Sequence, residues 1–221
     1  MEWAILALVI IFVVFSWLMV QGTRAALAYR RQAAAGDVAV IREIAEEAIS
    51  GWRSQKRPKE APPEVWRGIQ TLELVDVGPD YVRVIAQADS EYKLIDGSWL
   101  EVASPLRTGM AITAKAADML LYELPNCKLD KIQIDVYTAF REAQGSSSRQ
   151  CILSTIVSRQ AAQSVDWDGG KAQEIVDVLG GRYRLNELGQ LLPIDPDEVT
   201  VSPSPTTPQA EGDGQRAATS S

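Results

Sequence analysis

Four carboxylates, Asp89, Glu91, Asp96 and Glu101, stand close together in the middle of the chain. Paired carboxylates do acid–base work when their surroundings push their pKa values apart. Here they flank Asp96-Gly97, the strongest short hairpin signal in the sequence, so they are expected as solvated turn and strand residues. Histidine is absent, which removes the usual general base near neutral pH and the commonest metal ligand. Triads and zinc sites built on histidine are thereby excluded. Only Cys127 and Cys151 are present, too few for a four-cysteine zinc site or a dense disulfide framework. They are read as two buried thiols, too far apart along their strands to bridge.

Two other spacings invite a metal. Pro79-Asp80 with Glu91-Tyr92-Lys93 has the outline of the PD…ExK pattern of metal-dependent nucleases, where two acids and a lysine converge on a cation. The chain between them reads as extended, and eleven residues at about 3.3 Å each hold the acids roughly 36 Å apart. Asp166-Trp167-Asp168-Gly169-Gly170 has the Asp-x-Asp-Gly start of a calcium loop but lacks its further acids and terminal bidentate glutamate, so a turn before a helix is expected. Gly169-Gly170 and Gly180-Gly181 fit neither a phosphate loop nor a dinucleotide fingerprint. Arg159, after an apolar strand, is read as a salt-bridge partner at the strand end. No catalytic, cofactor-binding or metal set is legible, and no cofactor is expected.

The elements that must hold these residues begin with an apolar segment. Trp3 to Thr23 carries no charge, and about 20 apolar helical residues cross a hydrocarbon core of roughly 30 Å. A transmembrane helix is therefore expected over 1–23. The start Met1-Glu2 lacks the positive n-region of a signal peptide. Arg24, Arg30 and Arg31 follow the segment and no Lys or Arg precedes it, so the positive-inside bias places the C-terminal part in the cytoplasm.

Residues 24–63 are expected to hold juxtamembrane helices and a linker. Asp37 is the N-cap of a helix with Val38, Ile41, Ala45, Ala48, Ile49 and Trp52 on its apolar face, and RSQKRPKEAPP follows as linker. A soluble domain over 64–196 comes next. Its expected strands are Ile69 to Val77, Tyr81 to Ala88, Tyr92 to Ile95 and Trp99 to Val102. A helix opens at Ser104-Pro105, with Leu106, Met110, Ala114, Ala117, Leu121 and Leu124 on one face. The strand Ile132 to Phe140 alternates as if half-buried, and a turn over Gly145 to Ser148 leads into Cys151 to Val157. A helix near Lys171 to Leu179 and a small hairpin, Tyr183 to Leu185 with Leu191 to Ile194, complete the domain. The acidic, Pro/Ser/Thr-rich stretch 197–221 is expected to be disordered. Strands, helix, strands, helix do not alternate, which predicts an α+β fold with an antiparallel sheet packed against helices.

The net charge of -7 opposes nucleic-acid binding, which needs clustered Lys and Arg. Anchor, ordinary core and missing catalytic set together predict a membrane-tethered, non-enzymatic interaction or assembly module, with the bilayer and a protein as partners. The competing expectation is a small-molecule or lipid-binding domain, or an enzyme built on carboxylates. A deep apolar pocket favours the ligand reading, and a flat exposed apolar patch favours the partner reading.

Overall fold

The computed structural model describes residues 27–124, 127–141, 147–167 and 169–198, with Trp3, Phe12, residues 14–17, Met19 and Gln21 before them. Most of the expected span over 1–23 lies outside the described residues, and among these no helix is long and apolar enough to cross a membrane. The expected tail also lies outside them from residue 199 on.

Residues 27–34 are helical, with Ala33 buried in the core and Tyr29 packed against it. Helix α1 (Val38–Ser54) starts where Asp37 predicts: its Oδ1 accepts from the Ala39 and Val40 N–H groups at 3.0 and 3.4 Å. Ile41, Ile44, Ala45, Ile49 and Trp52 are its buried face, while Val38 points outward. Helix α2 (Pro63–Ile69) departs from the sequence reading, in which Pro62-Pro63 ends a linker and a strand starts at Ile69; the strand starts at Glu73 instead. Proline at the first helical turn loses no hydrogen bond, so it opens a helix here.

Strands β1 (Glu73–Val77) and β2 (Tyr81–Gln87) form an antiparallel pair. Strands β3 (Glu91–Ile95) and β4 (Ser98–Ala103) form a separate two-stranded hairpin. Its turn residues Asp96 and Gly97 have φ of 49° and 80°. Both positive values belong to a type I′ turn, whose twist matches the strands. Helix α3 (Pro105–Asp118) is capped by Ser104 and widens into a π-helical turn, Met119–Glu123. Strands β5 (Lys131–Arg141) and β6 (Ser147–Ser158) follow, then the short helices α4 (Arg159–Ala162) and α5 (Ala172–Val178). A small pair, β7 (Arg184–Leu185) and β8 (Leu191–Leu192), comes last.

The fold is α+β, but its sheet is mixed, correcting the antiparallel expectation. The order is β1-β2-β5-β6, and β2 runs parallel to β5 from Tyr81↔Lys131 to Gln87↔Tyr137. A parallel pair needs a crossover, here supplied by α3. The β3–β4 hairpin is inserted into that crossover and stays out of the main sheet, which hid the β2–α3–β5 unit in the element order.

Val82, Val84, Ile132, Ile134 and Val136 are buried on the face that meets α3, where a Cβ on Gly109 would stand 3.1 Å from Val136 Cγ1. The alternation of β5 predicts a half-buried strand, yet Gln133 and Asp135 on the other face are buried too. The register also differs from expectation. Ser147 and Ser148 already pair with Arg141 and Phe140, and Cys151 faces Tyr137 beyond a bulge. Cys127 and Cys151 are free, buried thiols.

Candidate functional site

The carboxylates singled out by the sequence do not converge. Asp80 lies in the β1–β2 turn, where its carbonyl accepts from the Asp130 N–H, whereas Glu91 starts β3 beyond the other end of β2. Glu91 pairs with Lys93 at 3.3 Å, Asp96 occupies the hairpin turn, and Glu101 sits opposite Tyr92. Asp166 closes a turn ahead of α5, accepting from the Gly169 N–H at 3.0 Å; Asp168 lies outside the described residues. Among the described residues no group of three or more Cys, Asp or Glu could hold a metal. Arg159 departs from its expected salt bridge: Nε donates to Leu129 O at 2.7 Å and Nη2 to Leu121 O at 3.2 Å. It thus satisfies a carbonyl of the π-helical turn, whose own ladder is irregular.

Three features stand out instead. The first is a buried polar network on the sheet face turned away from α3. Asp135, fully buried, accepts from Arg83 Nε at 2.7 Å, Ser154 Oγ at 2.6 Å and Gln133 Nε2 at 3.1 Å. Gln133 Oε1 in turn accepts from the Tyr81 hydroxyl at 2.9 Å. Arg83 Nη1 reaches Asp197 Oδ1 at 2.7 Å, and Arg182 donates to Pro196 O at 2.8 Å and to Glu198 O.

Burial alone would lower the Arg83 pKa, but its hydrogen bonds and attraction to Asp135 and Asp197 outweigh that and raise it. With donors on both Asp135 oxygens, the carboxylate has the partners a buried charge requires. The Ser154 proton points at Asp135, and the Ser154 side chain is buried. Nearby, burial pushes the Cys151 thiol up to about 12, with Asp135 adding to the rise, so the reactive thiolate is scarce. The network therefore fastens residues 196–198 to the sheet and offers no exposed nucleophile. Sequence reading missed it because alternation assigned Gln133 and Asp135 to solvent; only a charge inside a strongly apolar strand pointed to it.

The second feature is the β3–β4 hairpin. Tyr92 and Leu94 alternate on one face of β3, and Trp99 lies opposite Leu94. These side chains are 55%, 59% and 70% exposed. The third is a groove of about 890 Å³ at the base of the hairpin, bounded by α2, the first turns of α3, the start of α5 and Tyr183. Its walls are mainly apolar.

Compared with known protein families, curated proteins and solved structures, the chain matches none.

Proposed function

We propose that the chain is a membrane-tethered, non-enzymatic interaction module that holds a protein partner at the cytoplasmic side of a bilayer. The exposed hairpin carries this reading. An isolated two-stranded hairpin is marginal in water, and one that shows Tyr92, Leu94 and Trp99 to solvent gains most by being covered. Tyrosine and tryptophan are also the residue types that anchor protein interfaces.

Charge selects the kind of partner. Lys93 is occupied by Glu91, while Asp96 and Glu101 make no ion pair among the described residues. A second copy would set like charges against each other, and an anionic lipid surface would repel both acids. The fitting partner is a different protein with an apolar surface flanked by Lys or Arg.

The test compares the full chain with Tyr92→Ser/Leu94→Ser/Trp99→Ser by affinity purification in mild detergent and quantitative mass spectrometry. These exposed substitutions are expected to change stability little. A partner with a basic-rimmed apolar surface should bind the original chain stoichiometrically when purified and lose about tenfold or more in affinity for the variant. Equal capture by both chains would refute the hairpin, and hairpin-dependent self-association would replace the partner by a second copy.

The tether rests on the uncharged segment before Thr23 and the basic residues after it. Ser221→Cys in intact cells should resist a membrane-impermeant maleimide until the bilayer is permeabilised. The two native thiols are buried and contribute little background. Labelling without permeabilisation would place the domain on the other side.

A further inference from the structure

We infer that the groove at the hairpin base is a binding site for an amphipathic monocarboxylate, its apolar body inside and its carboxylate at Arg107. Its volume, about 890 Å³, falls in the range of roughly 300–1,000 Å³ typical of small-molecule clefts. Val65, Val102, Leu106, Met110, Tyr183 and Leu185 supply apolar lining, a surface suited to a chain or ring. Thr108, buried in this wall, has a hydroxyl without a hydrogen-bond partner among the described residues.

The charges in the lining decide the head group. Lys93 pairs with Glu91 at 3.3 Å, and Lys171 pairs with Glu174 at 3.5 Å. Arg107 and Glu64 form no ion pair among the described residues. Glu64 stands in the first turn of α2, where a negative charge is favoured. Arg107 stands in the first turn of α3, where the helix dipole opposes a positive charge, so guanidinium and helix end both attract an anion. A guanidinium also matches a carboxylate with two parallel hydrogen bonds. Among the described residues of the lining, Arg107 is the cation outside an ion pair and balances one negative charge, whereas a dianionic phosphate would add a charge facing Glu64 and Glu91. This inference is independent of the hairpin's partner, because Arg107 and the groove walls are not on the face bearing Tyr92, Leu94 and Trp99.

Equilibrium dialysis of radiolabelled octanoate against the full chain in zwitterionic nanodiscs, with empty discs subtracted, tests it. One saturable equivalent per chain is expected. Arg107→Gln, an exposed change, should weaken binding by about tenfold, and octan-1-ol, which has the same chain without the charge, should bind about tenfold more weakly than octanoate. Ala111→Trp, which fills the groove, should abolish binding; Ala172→Trp fills it from the opposite wall if the first variant loses its far-ultraviolet circular dichroism. Absence of saturable binding overturns the proposal, as do equal binding of octanol and octanoate, an Arg107→Gln variant that binds normally, or a folded groove-filling variant that still binds.

Discussion

Arg83→Met is expected to destabilise the fold by about 3–5 kcal/mol, because it leaves the Asp135 carboxylate buried without its cation. Methionine preserves much of the side-chain length, so little of this loss comes from packing. Ser154 and Gln133 still donate to Asp135, but two neutral hydrogen bonds do not replace a charged partner at 2.7 Å. The same substitution also frees Asp197, which should loosen the segment that Arg83 and Arg182 hold. Adding Asp135→Leu removes the stranded charge and should recover a large part of the loss, though it leaves the Ser154 and Gln133 side chains short of a partner. Urea unfolding of the full chain, followed by tryptophan fluorescence, gives the midpoints. A single-variant loss below about 1 kcal/mol would show that water or rearrangement already satisfies Asp135, and a double variant worse than Arg83→Met would show that the pair contributes more than an apolar replacement can.

Arg83 and Asp135 also mark where sequence reading stopped. Local signals were sound wherever a backbone rule acts over a few residues. Asp37 and Ser104 cap the expected helices, and Asp96-Gly97 makes the expected turn. The apolar stripe of α1 is buried from Ile41 to Trp52 because a 3.6-residue repeat depends only on the helix itself. Long-range pairing carries no such signature. Nothing within β2 states that its neighbour is β5, fifty residues on and parallel, rather than the nearer β3.

The same gap explains the polar network. A strand that alternates isoleucine with Gln133 and Asp135 looks half-exposed until Arg83 is laid against Asp135 and the segment 196–198 closes on Arg83 and Arg182. The groove was equally illegible, since its walls come from α2, β4, α3, α5 and β7, distant in sequence. The hairpin was found, but its exposure was not, because Tyr92, Leu94 and Trp99 are residue types that normally seek a core.

Helix α2, absent from the sequence reading, also supplies a sharp test of packing. Gly68 sits where α2 crosses α3, and a Cβ there would fall well inside contact distance of Ile112 Cγ1 and Cδ1, with the Gln87 carbonyl 3.3 Å away. Ile112 is wholly buried, so its side chain has little room to retreat. Gly68→Val places three carbons in this space and should cost about 3 kcal/mol, the upper part of the usual overpacking range. Valine is a better helix former than glycine, but only by a few tenths of a kcal/mol, too little to reverse the sign. Ile112→Ala by itself should cost about 2–5 kcal/mol by leaving a cavity. In that background the valine at 68 enters the vacated volume, so the second substitution should be neutral or stabilising. The two changes are therefore expected to couple by about 2–3 kcal/mol, far from additive behaviour. Measured additivity would mean that α2 and α3 do not meet at Gly68 and Ile112, and the wall of the groove formed by Val65 and Met110 would have to be redrawn with them.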